Sequence, residues 1–158
     1  VTHTYADPGT YTVTLEVTDT AGNTNTTIHS VTVTDTTAPT VSAFAVLNLS
    51  GQDVQVSFDS DEQLTSVGAT ISGTESASLS TADFGETDNG GSYTYTATYA
   101  GSTDGSYTAT LDSATDASGN DGASSQSDSV TVDTPPAISS FSDLYLPPVG
   151  FGDSFDNS

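Results

Sequence analysis

The sequence predicts an all-β chain, and three observations carry that prediction. Apolar and aromatic residues alternate with threonine and serine at a period of two. Four short passages recur at a spacing near 97 residues. Two proline-containing segments, Asp35-Thr36-Thr37-Ala38-Pro39 and Asp133-Thr134-Pro135-Pro136, separate the repeating units.

The first strand is the clearest. Tyr11, Val13, Leu15 and Val17 alternate with Thr12, Thr14, Glu16 and Thr18, the pattern of a strand buried on one face. Threonine suits the outer face because it favours extended backbone and brings no charge. The same alternation marks Val54, Val56 and Phe58, then Tyr93, Tyr95, Ala97 and Tyr99, then Tyr107, Ala109 and Leu111. No window longer than a few residues has a helical period. Strands are expected over 41–47, 53–59, 65–72, 76–81, 92–99, 106–112 and 127–132, with Asn89-Gly90-Gly91 as a turn. Asp7-Pro8-Gly9-Thr10-Tyr11 and Asp104-Gly105-Ser106-Tyr107 each set an acidic turn before a tyrosine that opens a strand. That is the arrangement of a tyrosine corner, in which a buried ring sends its hydroxyl back to nearby backbone.

Composition alone points the other way. Leu, Ile, Val and Phe make up 30 of 158 residues, and the formal net charge is -21, a combination that reads as disorder. The periodicity overrules it. The 21 acidic side chains face two histidines and no lysine or arginine. Such a chain cannot neutralise phosphates, which excludes nucleic acid as a partner, and it has nothing with which to dock on an anionic membrane. No stretch approaches the roughly 18–20 apolar residues of a membrane span. Any segment that delivers the chain to its compartment is expected to lie outside the sequence or to have been removed. In dilute buffer the carboxylates repel one another. In about 1 M salt the Debye length falls to about 3 Å and the repulsion is screened. The composition is therefore read as that of a halophile, with solvent cations as its constant partners.

The repeats set the organisation. Gly9–Leu15 matches Gly105–Leu111, Thr18–Asn23 matches Thr115–Asn120, Ser30–Val33 matches Ser129–Val132, and Pro39–Phe44 matches Pro136–Phe141. The offsets are 96, 97, 99 and 97, too long for a solenoid and right for successive sandwich domains. Proline in the linkers makes them stiff hinges. One complete domain is expected at 36–134, preceded at 1–34 by the closing strands of another. It is followed at 135–158 by the first strand of a further repeat and an irregular tail, since Pro147, Pro148, Gly150 and Gly152 break strand pattern.

Residues 1–34 resemble the last three strands of a PKD domain. The resemblance rests on His3-Thr4-Tyr5-Ala6-Asp7-Pro8-Gly9-Thr10-Tyr11-Thr12-Val13-Thr14-Leu15, then Val17-Thr18-Asp19 and Gly22-Asn23. Residues 36–134 resemble the bacterial and archaeal Ig-like repeats of large surface proteins, on the Thr37-Ala38-Pro39 opening, Val56-Ser57-Phe58 to Glu62, the Tyr107 strand and the Asp116 to Asn120 loop. The fold this implies is a tandem of Ig-like and PKD-like β-sandwiches, one complete and two partial. In such a sandwich the incoming chain, the loop after the second strand and the loop before the last strand share one pole. Here that pole gathers Asp35, Asp59, Asp61, Glu62, Asp116, Asn120 and Asp121. Oxygen-only ligands on loops suit Ca²⁺ better than Zn²⁺ or Mg²⁺. The resemblance implies an inter-domain calcium ion held by Asp35, Glu62 and Asp116, with Asp61 and Asn120 behind them. Asp19 and Asn23 occupy the equivalent loop of the first unit.

Catalysis is not expected. His3 and His29 are the only imidazoles, and neither stands in a pattern with a nucleophile. Paired carboxylates for glycoside chemistry need a cleft that a narrow sandwich does not offer. Asn25-Thr26-Thr27 and Asn48-Leu49-Ser50 have the form of N-glycosylation acceptors. The expectation is a non-catalytic extracellular structural or adhesive module of a halophilic surface protein, acting at the cell surface as a spacer or stalk that Ca²⁺ could rigidify, with neighbouring domains or subunits of the same protein as partners. Two alternatives stand beside it: a fibre subunit that assembles by strand complementation, and an accessory module of a secreted enzyme.

Overall fold

The computed structural model describes residues 2–137. The strand expected after Pro136 and the irregular tail lie beyond these residues. Among the described residues there are ten strands and one short 3-10 turn. β1 (Gly9–Thr18) and β2 (Thr24–Val33) form a two-stranded antiparallel sheet. The other eight strands are β3 (Val41–Asn48), β4 (Asp53–Ser60), β5 (Ser66–Gly73), β6 (Ala77–Ser80), β7 (Gly85–Asp88), β8 (Tyr93–Ala100), β9 (Gly105–Thr115) and β10 (Ser127–Val132). They make two four-stranded sheets, ordered β10-β9-β5-β6 and β3-β4-β8-β7, stacked as a β-sandwich.

Alternation builds the core. Along β4, Val54, Val56, Phe58 and Ser60 point inward and are buried, while the residues between them are not. Val54 and Val56 meet Ile71, Tyr107 and Ala109 from the facing sheet. Phe58 stacks on Tyr95 at 5.3 Å and packs with Leu64, Val67 and Leu111. Each such side chain, fully buried, contributes about 1.5–3 kcal/mol.

Strand boundaries fall within a few residues of expectation, and one strand is added. The segment after β6 does not run straight to the Asn89 turn. Asp83 accepts hydrogen bonds from the Ser80 N–H (2.7 Å) and hydroxyl (2.8 Å), which closes a 3-10 turn at Thr81–Asp83. β7 then pairs with β8 at the sheet edge. All four of its residues are exposed, so it carries no alternation to detect.

Two bulges shape the sandwich. In β9 the pairing steps from Ala69↔Leu111 to Gly68↔Ser113, leaving Asp112 as the extra residue. In β3 the pairing steps from Ser42↔Asp59 to Ala45↔Ser57, and Ala43 takes a φ of 52°. The seam between β3 and β10 is closed by side chains. Asp128 accepts the Val46 N–H at 2.9 Å, and Gln126 donates to the Val41 carbonyl at 3.0 Å.

The hairpin β1–β2 repeats the register of β9–β10 over Gly9–Thr14 and Gly105–Thr110, then runs on as a continuous ladder to Thr18↔Thr24, whereas β10 pairs with β9 only over Ser127–Val132. Gly9↔Val33, Tyr11↔Val31 and Val13↔His29 correspond to Gly105↔Val132, Tyr107↔Val130 and Ala109↔Asp128. Tyr11 donates its hydroxyl to the Asp7 carbonyl at 2.7 Å, and Tyr107 donates to that of Thr103 at 2.6 Å. Both tyrosine corners are formed.

Candidate metal centre

Asp116 ends the β9 ladder and organises its own loop. Its Oδ1 accepts the N–H groups of Ser118 (2.8 Å) and Asn120 (2.9 Å), and its Oδ2 accepts the Asn120 side-chain amide at 2.9 Å. Gly119 takes a φ of 91°, which lets the loop close. The side chain is only 4% exposed. Burial pushes the Asp116 carboxyl up, but the donors from Asn120, Ser118 and Gly119 outweigh it, and the group lies below the usual aspartate range.

Glu62 stands in the loop after β4, and both following residues are fixed. The Leu64 N–H donates to the Tyr95 hydroxyl at 2.7 Å, and that hydroxyl donates to Glu86 at 2.9 Å. The Gln63 amide donates to the other Glu86 oxygen at 2.9 Å. Asp35 lies in the linker, where its carboxylate accepts the Thr37 N–H at 2.9 Å. The linker is seated on the sandwich by Pro39, which is buried. Gly122 makes the seat: a Cβ there would run into the Pro39 carbonyl.

The three carboxylates converge. One oxygen each from Asp35, Glu62 and Asp116 lie within 4.8 Å of one another. Burial, followed by repulsion from Asp35, Asp116 and Asp61, pushes the Glu62 carboxyl above the usual glutamate range. No lysine or arginine exists in the chain to relieve the group.

The other residues singled out at this pole do different work. Asp61 turns to the linker, accepting the Thr40 N–H at 2.6 Å. The Asn120 amide nitrogen braces Asp116 and reaches the Asp35 carbonyl at 3.4 Å. Asp59 accepts the Thr94 hydroxyl, and Asp121 accepts the N–H groups of Ala114 and Ala123. Asp19 and Asn23 repeat the hydrogen-bonded loop of Asp116 and Asn120. Asn48 and Asn25 are both exposed; Asn48 donates to the Gly51 and Asp53 carbonyls, each at 3.0 Å.

The donor set fits calcium. Oxygens on opposite sides of a Ca²⁺ ion at 2.3–2.6 Å lie about 5 Å apart, so three carboxylates grouped this closely can share one ion. The group offers neither the nitrogen nor the sulfur typical of zinc. Glu62 and Asp116 sit on fixed loops, and Asp35 belongs to the segment joining the hairpin to the sandwich. An ion there would tie that segment down.

Sequence reasoning missed four structural supports. Glu86 lies on the unrecognised β7, and Tyr95 shows in sequence only as an inward residue. Gly122 carries no motif. At the opposite pole, Asp104 accepts the Thr134 N–H (3.0 Å) and hydroxyl (2.9 Å), and the Gln52 amide at 3.2 Å. These bonds, the Thr134 N–H first, hold the Asp104 carboxyl below the usual range. The outgoing linker is thus clamped as the incoming one is.

Fold and site together define a β-sandwich with an acidic pole, preceded in the chain by a two-stranded hairpin. The family model of the PKD domain matches residues 1–32. PKD is a non-catalytic, Ig-like domain family typical of extracellular proteins. Comparison with curated proteins and with solved structures finds no match. No helix among the described residues is long and apolar enough to cross a membrane.

Proposed function

We propose that this chain is a non-catalytic spacer or stalk segment of a halophilic extracellular surface protein. Its sandwich binds one Ca²⁺ through Asp35, Glu62 and Asp116, and the ion locks the incoming linker to the domain. The observation that carries this reading is the convergence of a linker carboxylate on two loop carboxylates, within 4.8 Å, in a chain with no basic side chain. The gripping of both linkers supports it. Pro39 is seated against Gly122, and Thr134 is clamped by Asp104. A module held at both ends transmits orientation, which is what a stalk requires.

The test is a calcium titration of the intact chain in multimolar KCl at pH 7 and fixed ionic strength, followed by calorimetry and thermal melting. Ca²⁺ is expected to release heat and to raise the Tm of the sandwich, with Mg²⁺ much weaker. At a hundredfold excess over Kd the stabilisation is about 2.7 kcal/mol. Asp116→Asn and Asp35→Asn remove the response. Absence of both a calcium heat and a Tm shift in the unsubstituted chain would overturn the metal site.

A further inference from the structure

The turn between β7 and β8 holds a reactive dipeptide in open space. Asn89 is the only asparagine in the sequence followed by glycine; Asn23, Asn25, Asn48 and Asn120 precede Thr24, Thr26, Leu49 and Asp121. Residues Asn89 to Ser92 are all exposed. Gly90 and Gly91 take φ values of 78° and 117°, the left-handed backbone that a tight hairpin turn requires. Nothing lies within 4 Å of where a Cβ would stand on either glycine. The Gly90 nitrogen therefore has no side chain of its own to shield it and no neighbour to crowd it.

The bonds around that nitrogen are suited to chemistry. Its N–H donates to the Asp88 carboxylate at 2.8 Å. The Asn89 N–H donates to the Ser92 carbonyl at 2.8 Å, which closes the hairpin. The Asn89 side-chain amide donates to one exposed partner, the Thr94 hydroxyl, at 2.9 Å. Other asparagines are held more firmly. Those of Asn23 and Asn120 donate to the Asp19 and Asp116 carboxylates, and that of Asn48 donates to two carbonyls. Asn25 lies within the β1–β2 ladder, opposite Val17.

We propose that Asn89 is a site of spontaneous deamidation through its own backbone, with Asp88 as the base. The Gly90 nitrogen attacks the Asn89 Cγ, and an N–Cγ bond forms. Asp88 takes the Gly90 proton and passes it to Nδ2. The Cγ–Nδ2 bond breaks, and ammonia leaves with that proton. Water then opens the five-membered imide, its hydroxyl going to a carbonyl carbon and its proton to the Gly90 nitrogen. Opening at Cγ leaves an aspartyl residue, and opening at the main-chain carbonyl leaves an isoaspartyl residue. No step oxidises or reduces anything. Both products add a carboxylate beside Asp88. The isoaspartyl product also lengthens the main chain by one atom, next to the Asn89 N–H that closes the hairpin.

Peptide mapping tests the proposal on the intact chain, kept folded in multimolar KCl at pH 7 below its Tm. Chymotryptic cleavage after Phe84 and Tyr93 frees the Gly85–Tyr93 peptide, in which mass spectrometry reads the exchange of amide for acid and separates aspartyl from isoaspartyl forms. Both forms are expected to accumulate at position 89 well ahead of any change at Asn25. Gly90→Ala should stop the accumulation. Gly91→Ala strains the same turn without touching the nucleophile and should leave most of it. Asp88→Ser should slow it by about tenfold, less than a positioned base supplies in a closed site. Thr94→Val frees the amide and should quicken it. Three results overturn the proposal: Asn89 no faster than Asn25, Gly91→Ala as effective as Gly90→Ala, or an unchanged rate in Asp88→Ser.

Discussion

The hairpins β1–β2 and β9–β10 share the register of their open ends and the form of their aspartate turns, and differ in their surroundings. Each has a tyrosine corner, and each has an aspartate that closes its turn by accepting two N–H groups and an asparagine amide. Those features depend on residues close in sequence, so they form in both places. Burial depends on a second sheet, and β9–β10 alone has one in the described structure. Local chemistry sets the hairpin, and distant strands decide what its inner face contributes.

The sharpest way to break the comparison is to truncate matched leucines. Leu111→Ala should destabilise the sandwich by about 2–5 kcal/mol, because it leaves a cavity between two sheets. Leu15→Ala should move the same transition by less than about 0.5 kcal/mol, as expected of an exposed site. Urea titrations of the intact chain in multimolar KCl, read by tyrosine fluorescence, give both values. Equal effects would mean that the two hairpins are equally covered in solution.

The tyrosine corners give a smaller contrast. Tyr107→Phe keeps the ring and loses the bond to the Thr103 carbonyl, whereas Tyr11→Phe loses the corresponding bond at an exposed hairpin. Tyr107→Phe should lower the Tm of the sandwich by roughly half the shift of Leu111→Ala or less, in keeping with the modest net strength of one hydrogen bond. Tyr11→Phe should leave that Tm in place.

The same pair of hairpins shows what could be read from sequence. The match was visible because glycine, tyrosine and the aspartate turn recur at nearly constant offset. The change in offset from 96 to 97 is the bulge at Asp112, which makes β9 one residue longer than β1. The further change from 97 to 99 falls between Asn120 and Ser129, the stretch that holds Asp121 and Gly122. There the Asp121 carboxylate braces Ala114 and Ala123, and Gly122 seats Pro39. Sequence shows such insertions but not their purpose. β7 could not be read because Gly85, Glu86, Thr87 and Asp88 contain no apolar residue. The acidic pole could be read as a group, but not sorted. Asp61 and Glu62 are neighbours of the same chemistry, and only the Thr40 N–H distinguishes the fastener from the member of the cluster.

The smallest and most diagnostic contrast concerns the two aspartate turns. Both are closed by the same bonds, but Asp116 has Asp35 and Glu62 beside it. The folded state holds the Glu62 carboxyl above its ordinary value of 4.5. Over the window from 4.5 up to that raised value, the folded chain binds more protons than the unfolded one. Stability therefore falls as pH rises through the window, and the deficit is complete above it. In chelator at pH 7, Glu62→Gln should raise the Tm by removing a repelled charge, and the gain should vanish below about pH 4.5. With Ca²⁺ present the sign reverses, because the substitution removes a ligand. Asp19→Asn should alter neither behaviour. A Glu62→Gln chain that melts like the parent with and without Ca²⁺ at pH 7 would show that the carboxylates do not act together, and would leave the two turns equivalent in function as well as in geometry.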